Sequence, residues 1–110
     1  MKLGWKIIPI IAFALSATAL AADPGQRPYN AKCASCHGKD GKGQTEAGQK
    51  KHVKDLTDPK VQAALKDADL IKGITDGIEE TPDHGKMPGY KDKLSDDEIK
   101  AVAAYVRTFK

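Results

Sequence analysis

Two cysteines and a histidine stand together near the start of the chain, in Cys33-Ala34-Ser35-Cys36-His37. Cysteines three positions apart on a helix point to the same side, so both thiols can reach one flat ligand. The pattern C-x-x-C-H is typical of covalent haem attachment, in which the thiols form thioethers with the vinyl groups and the histidine binds the iron. The motif therefore predicts one haem c, attached through Cys33 and Cys36, with His37 as an axial ligand.

Three other uses of these side chains are open at this point. A thioredoxin-like redox pair would need a strand before Cys33, and the preceding residues have no strand pattern. A zinc site would need further ligands, whereas His52 and His84 stand alone in polar segments. A disulfide between Cys33 and Cys36 is compatible with an exported protein but adds nothing to the core.

Met87 is the candidate for the second axial ligand, because it is the only methionine after residue 21. It lies in residues 85–90 (GKMPGY), where proline and glycine predict an extended, turn-rich loop that can aim a side chain. A thioether opposite histidine favours the ferrous state and raises the reduction potential relative to two histidines. The alternative is a methionine that fills a gap in a sparse core.

Histidine is the commonest rival ligand, which makes the two other histidines alternative candidates. Both His52 and His84 have polar neighbours, which predicts solvated loop positions. His84 lies only three residues before Met87, and a switch between these two side chains on oxidation or at raised pH is a hypothesis that the sequence leaves open.

The composition explains why a cofactor is needed. Residues 22–110 contain only 12 Val, Ile and Leu and one Phe, which is about 15% of the segment and below the roughly 20% at which disorder becomes an option. Small chains compensate with disulfides, metals, oligomerisation or a bulky cofactor. We expect the cofactor to complete the core, and the chain without it to be largely disordered.

Apolar spacing and capping signals predict four helices and no strand, hence an all-α domain. The four helices are expected at about residues 27–36, 58–66, 67–77 and 95–107. The glycine-rich and polar residues 38–54 predict a loop.

The first 21 residues are typical of a secretory signal peptide, with two lysines near the start, an apolar run over residues 7–20 and a small-residue site before Ala22. The run is shorter than the ~20 residues that span a bilayer, which argues against an uncleaved anchor. We therefore expect residues 1–21 to be cleaved, and residues 22–110 to be a periplasmic domain with no membrane span.

On these residues the chain resembles the class I c-type cytochromes, of the small bacterial monohaem kind. The resemblance covers nearly all of residues 22–110 and includes the C-x-x-C-H motif, the glycine-rich loop after it, residues 86–90 and the closing helix at 94–107. It implies the cytochrome c fold, with three to four helices packed around one covalently attached haem and with the first and last helices crossing. It also implies that His37 is the proximal ligand and Met87 the distal ligand.

The resemblance further implies haem contacts, although ordinary core packing explains each of these residues equally well: Leu56, Leu70, Ile74 and Tyr90. It places Tyr29 or Cys33 beside residues 103–106 of the last helix. The chain departs from the family in two respects. Many relatives have a proline whose carbonyl orients the proximal histidine, but residues 48–56 contain none, so the hydrogen-bond partner of His37 is unassigned. No tryptophan follows residue 21 to bond a haem propionate.

The function that the resemblance implies is electron transfer by a monomeric carrier between donor and acceptor proteins that the sequence does not identify. Six-coordinate iron has no place for a substrate, so we expect no enzyme. The alternatives are a haem enzyme or gas or redox sensor with a displaceable sixth ligand, and an electron-delivering subunit of a larger complex.

The charge pattern excludes a nucleic-acid partner, because 16 basic and 15 acidic residues are interleaved after residue 21 and form no basic stripe. Lysines near the motifs could steer acidic redox partners, the alternative being an ordinary solvated surface. These lysines are Lys32, Lys39, Lys42, Lys86 and Lys91.

Overall fold

The computed structural model describes Gly4 and residues 23–110, so the predicted signal peptide and its cleavage site lie outside the described residues. Residues 23–110 form six α-helices joined by turns. This part of the chain has two isolated β-bridges but no β-strand. The all-α prediction is therefore confirmed, with more and shorter helices than the four expected. The helices are α1 (Gln26–Lys32), α2 (Ala34–His37), α3 (Glu46–Lys51), α4 (Pro59–Ala64), α5 (Asp67–Asp76) and α6 (Asp96–Val106).

The later helices begin at the caps that the sequence predicts. Ser95 accepts a hydrogen bond from the Glu98 amide at 3.1 Å, and the Glu98 carboxylate accepts one from the Ser95 amide at 3.1 Å, which forms a capping box at α6. At α4, the Asp58 carboxylate accepts from the Lys60 amide at 2.9 Å, with proline in the first turn. Local side chains thus satisfy amides that a helix N-terminus leaves unpaired.

The first predicted helix is divided at Cys33, which separates α1 from α2. The backbone remains right-handed there, with φ −113° and ψ −32°. Hydrogen bonds continue across the break, from the Cys33 amide to Tyr29 at 2.8 Å and from the His37 amide to Cys33 at 2.9 Å. The prediction of a single continuous helix was wrong, because the helix is interrupted at Cys33. Both cysteines and the histidine nevertheless lie on one helical segment.

Helix α3 lies where the sequence predicted a loop, so that part of the prediction for residues 38–54 was wrong. The Thr45 hydroxyl caps the helix by accepting from the Gly48 amide at 2.9 Å, and it donates to the Cys36 carbonyl at 2.6 Å. Gly48 is buried so close to the Cys36 carbonyl that a Cβ would overlap it. The helix ends at His52, whose φ of 53° is left-handed. Packing that only glycine permits therefore stabilises a helix that propensity disfavours.

The segment that carries Met87 folds back on itself in a narrow loop after α5. Ile78 and Met87 exchange both backbone hydrogen bonds at 2.9 Å, and Thr81 and His84 form a second bridge nearer the tip. Gly77, at φ 83°, lets the chain pass directly against the Met87 carbonyl. The structure thus has the extended, turn-rich loop that the sequence predicts here.

The core lies where α1 and α5 pack against α6. Tyr29 from α1 is 1% exposed and meets Tyr105 and Phe109 with ring centroids 5.2–5.3 Å apart. Gly25, which precedes α1, lies against the Ala101 carbonyl, where no side chain would fit. The expected approach of the first helix to residues 103–106 is therefore observed, through Tyr29.

Candidate haem site

A cavity of about 310 Å³ opens between the helices and is walled mainly by apolar side chains. Its volume is at the lower end of the range for small-molecule and cofactor sites. The apolar lining comes mainly from α4, α5, α6 and the loops between them, and includes Val53, Leu56, Val61, Leu65, Leu70, Ile74, Ile78, Val102 and Val106.

Cys33, Cys36 and His37 form one part of the cavity wall. Cys33 is 7% exposed and Cys36 is half-buried, and both thiols are free rather than joined in a disulfide. Burial, with the neighbouring Cys36, raises the pKa of the Cys33 thiol to about 11. A thiol in this environment is protonated near neutral pH. The structure therefore brings both predicted attachment residues to the cavity with their sulfur atoms available.

The His37 side chain suits an iron ligand. Burial lowers its pKa, which favours the neutral imidazole that binds metals. The Nδ1 atom is buried and has no hydrogen-bond partner among the described residues, and the side chain lines the cavity. Backbone bonds fix the residue instead, since the His37 carbonyl accepts from the Gly43 amide at 2.8 Å. The missing proline in residues 48–56 thus coincides with an unpaired Nδ1.

Met87 lines the same cavity although it is fifty residues from His37 in the sequence. Its side chain is half-buried. Its amide and carbonyl are both bonded to Ile78, so the backbone cannot turn the side chain away without breaking two hydrogen bonds. The tertiary structure therefore joins the two predicted axial ligands in one site.

The four weaker predictions also fall on the cavity wall: Leu56, Leu70, Ile74 and Tyr90. Leu56 and Ile74 belong to the buried core as well, so packing and cavity lining are the same role here. The Tyr90 hydroxyl donates to the Lys32 carbonyl at 3.1 Å, and burial raises the pKa of this tyrosine. Among lining residues not predicted to contact the haem, Val102 and Val106 lie in the helix expected at residues 95–107, whereas Val53 lies in the segment predicted as a loop.

Charged and polar side chains stand around the apolar walls: Lys32, Lys51, His52, Lys54, Asp69, His84 and Lys86. Of the lysines proposed from sequence, Lys32 and Lys86 belong to this group, and the other three do not line the cavity. His52 is exposed, as expected. His84 is half-buried rather than fully solvated, and its Nδ1 donates to the Gly85 carbonyl at 3.0 Å.

These residues fit a covalently attached haem. Two free thiols, an imidazole nitrogen and a thioether meet in an otherwise apolar cavity, which is the donor set that c-type attachment and axial ligation require. Within residues 23–110, no group of three or more His, Cys, Asp or Glu side chains is arranged to hold a metal ion. No helix in the described part of the chain has the length and apolar character to cross a bilayer.

Comparison with known proteins points to one family. A family model described as cytochrome c matches residues 22–110. The chain is 39% identical over 106 residues to cytochrome c6 of Nostoc sp., covering 90% of this chain and 82% of the relative. It superposes on the KustC0563 c-type cytochrome with a TM-score of 0.66 and 35% identity, covering 78% of this chain and 96% of that one.

A second group of relatives is much longer than this chain. The cbb3-type cytochrome c oxidase subunit FixP of Azorhizobium caulinodans is 38% identical over 88 residues, which is 80% of this chain but only 27% of that protein. The family match over residues 22–110, the cytochrome c6 similarity and the C-x-x-C-H cavity agree. This chain therefore belongs to the cytochrome c family and carries a covalently bound haem c.

Proposed function

We propose that this protein is a periplasmic electron carrier whose haem c cycles between Fe(II) and Fe(III). Cys33 and Cys36 would hold the haem as thioethers, and His37 and Met87 would be its axial ligands. The observation that carries the proposal is that the side chains of residues 33–37 and the distant Met87 line one apolar cavity. Similarity to cytochrome c6, over most of both chains, supports a carrier.

The bound haem supplies one-electron redox chemistry, and the protein supplies ligands, burial and electrostatics. His37 presents a neutral imidazole, and Met87 presents a soft, uncharged sulfur. The apolar walls exclude water and so disfavour the more highly charged ferric state. The thioether of Met87 and burial among apolar walls would each raise the reduction potential, and binding of the iron by both His37 and Met87 would leave no coordination position for a substrate.

The rim of the cavity supports docking to acidic redox proteins. Four lysines stand there with one aspartate and two histidines, so the rim is positively charged although the whole domain is nearly neutral. Such local charge mainly raises association rates and orients the partner. The donor and acceptor are therefore expected to present carboxylates around their own redox centres, and the carrier to act as a monomer.

The pattern of an export signal in the first 21 residues supports the periplasmic location. Release of the haem-containing protein by osmotic shock would support export. An N-terminus at Ala22, measured by mass spectrometry, would support cleavage after residue 21. Co-purification with an oxidase would instead favour a subunit role, which the name of the FixP relative suggests for that protein.

The decisive experiment for ligation compares absorption spectra of ferric and ferrous protein for the wild type, Met87→Ala and His84→Ala. The weak near-infrared band of methionine sulfur on ferric iron is expected in the wild type and in His84→Ala, and is expected to vanish in Met87→Ala. His84→Ala is the matched control because it lies in the same loop. A high-spin wild-type spectrum that changes with cyanide or carbon monoxide would refute the carrier and favour an enzyme or a sensor.

A further inference from the structure

Helix α3 runs between the two segments that carry the proposed axial ligands. Its first end is attached to the histidine segment, where the Thr45 hydroxyl donates to the Cys36 carbonyl at 2.6 Å. Gly48, inside the helix, is packed directly on that same carbonyl. The start of α3 is therefore fixed beside His37.

The other end of α3 is attached to the methionine loop. The Gly85 amide donates to the Lys51 carbonyl at 2.8 Å, and Lys51 Nζ donates to the Lys86 carbonyl at 3.4 Å. Gly85 also packs on the Lys51 side chain, where an added Cβ would lie 3.1–3.4 Å from Lys51 carbon atoms. Lys51 thus contacts the loop through both its backbone and its side chain.

The geometry at the end of the helix makes this attachment possible. The last carbonyls of a helix have no partner within the helix. Because the His52 backbone has a left-handed conformation, α3 ends at Lys51. The Lys51 carbonyl then accepts its hydrogen bond from the Gly85 amide in the loop. In the described residues, the two bonds made by Lys51 are the only hydrogen bonds between residues 38–56 and the loop at 78–90.

The remaining backbone bonds of the loop tie it to a different element. Met87 is bonded to Ile78 at the base of the loop, directly after α5, and the Tyr90 amide donates to the Ile74 carbonyl of α5 at 2.8 Å. These bonds hold the loop to α5 and its C-terminal end, which do not carry His37. Besides the bonds to α3, the hydrogen bond that ties this loop to the histidine side in the described residues is the one from the Tyr90 hydroxyl to the Lys32 carbonyl, at 3.1 Å and three residues after Met87. Without α3, residues 78–87 could move with α5 away from His37.

We propose that α3 is a brace that fixes the spacing of His37 and Met87, and that Lys51 is the positioning residue that keeps Met87 on the iron. The inference rests on the proposed function, since it requires Met87 to be a ligand. The brace acts on how often the methionine leaves the iron, rather than on the identity of the ligand.

The test measures binding of added imidazole to the ferric holoprotein by stopped flow. At high imidazole concentration the rate reaches a plateau set by the opening of the Met87 loop. Lys51→Met keeps the aliphatic stem and removes the donor, so we expect a plateau rate about threefold higher. Lys50→Met is the matched control, because Lys50 makes an exposed ion pair with Glu46 at 3.3 Å, makes no hydrogen bond to the loop in the described residues and does not line the cavity. Lys51→Arg should restore the wild-type rate.

A second variant tests the brace from its far end. Thr45→Ala removes the cap of α3 and the bond to Cys36 without touching the Met87 loop, and we expect a plateau rate about fivefold higher. Asp58→Ala removes the equivalent cap of α4, which makes no hydrogen bond to the loop, and should leave the plateau unchanged. Hydrogen exchange at the Gly85 amide should accelerate in Thr45→Ala and not in Asp58→Ala.

The results separate the two proposals. A near-infrared band in the wild type, with wild-type plateau rates in both Lys51→Met and Thr45→Ala, would overturn the brace and leave Met87 ligation standing. Equal acceleration in Asp58→Ala would also overturn it, since the effect would then be general destabilisation. Absence of the band in the wild type would overturn Met87 ligation and the brace together.

Discussion

Replacing Arg107 by methionine is expected to lower the free energy of unfolding by about 2 kcal/mol. The Arg107 guanidinium lies at the C-terminal end of α4, where it donates to the Gln62 carbonyl at 2.7 Å, to Gln62 Oε1 at 3.1 Å and to the Leu65 carbonyl. It also pairs with Asp67 at 2.9 Å. One side chain from the end of α6 thus holds the end of α4, and both helices wall the cavity.

The magnitude follows from which partners are buried. Hydrogen bonds to a charged group contribute about 1.5–3 kcal/mol each, and the Gln62 and Leu65 carbonyls are helix-end acceptors that need a partner. These bonds are only partly buried, so water would recover some of the loss. The Asp67 side chain is 81% exposed, and an exposed pair contributes only about 0–1 kcal/mol. The two carbonyls therefore account for most of the effect.

Urea unfolding of the ferric holoprotein, followed by circular dichroism and haem absorbance, would measure the change without altering ionic strength. For a domain of this size, 1 kcal/mol corresponds to a shift of roughly 4–8 °C in Tm. Arg107→Lys keeps the charge but not the planar fork, so it should lose about half as much. Asp67→Asn is the control, with an expected loss below about 0.5 kcal/mol. A stable Arg107→Met, or an Asp67→Asn as damaging as Arg107→Met, would refute the reasoning.

Four further perturbations have definite expected outcomes. Tyr29→Phe removes a hydroxyl that donates to the Gly38 carbonyl at 2.7 Å, and should lower the free energy of unfolding in urea by about 1 kcal/mol. Tyr105→Phe should lower it much less, because the Tyr105 hydroxyl has no hydrogen bond within the described residues. Gly25→Ala places a methyl group against the backbone of α6 and should cost roughly 1–3 kcal/mol in the same assay. Hydrogen bonds from the Thr57 side chain and backbone hold the pKa of the Asp55 carboxyl below its ordinary value. The stability contributed by the ionised, hydrogen-bonded Asp55 is therefore present above the unfolded-state pKa and is lost as pH falls through the folded-state pKa. In an NMR titration, Thr57→Val should move the pKa of Asp55 upward. Protein made without haem attachment should lack cooperative thermal unfolding and show little helical circular dichroism.

Each of these expectations can fail in a specific way. Equal losses in Tyr29→Phe and Tyr105→Phe would show that the buried hydroxyl has no special role. A Gly25→Ala variant as stable as the wild type would mean that the contact between α1 and α6 can open without cost. An unchanged Asp55 titration in Thr57→Val would assign its pKa to another cause. A compact, cooperatively folded apoprotein would contradict the need for haem in the core.

The chemistry of the site was predictable because its signals are local. Cys33, Cys36 and His37 are neighbours in the chain, and helical spacing alone places both thiols on one side. The turn-rich loop at Met87 follows from the adjacent proline and glycines. The start of α6 was equally predictable, since Ser95 and Glu98 satisfy each other across one helical turn.

Helix α3 was missed for a physical reason that lies outside the segment. Glycine disfavours a helix, and residues 38–48 contain four of them. Gly48 nevertheless sits in α3 because it is the only residue that fits against the Cys36 carbonyl, a contact between elements. The attachment of Lys51 to Gly85 is likewise invisible in the sequence, since 34 positions separate the two residues.

The covalent chemistry, the all-α class and the two candidate ligands could be predicted because they depend on residue types a few positions apart. Three features required the folded structure: the cavity that His37 and Met87 share, the lysines around that cavity, and the contacts of α3 with both of its sides. Those features arise from packing between segments far apart in the chain, where burial and backbone hydrogen bonds outweigh local preference.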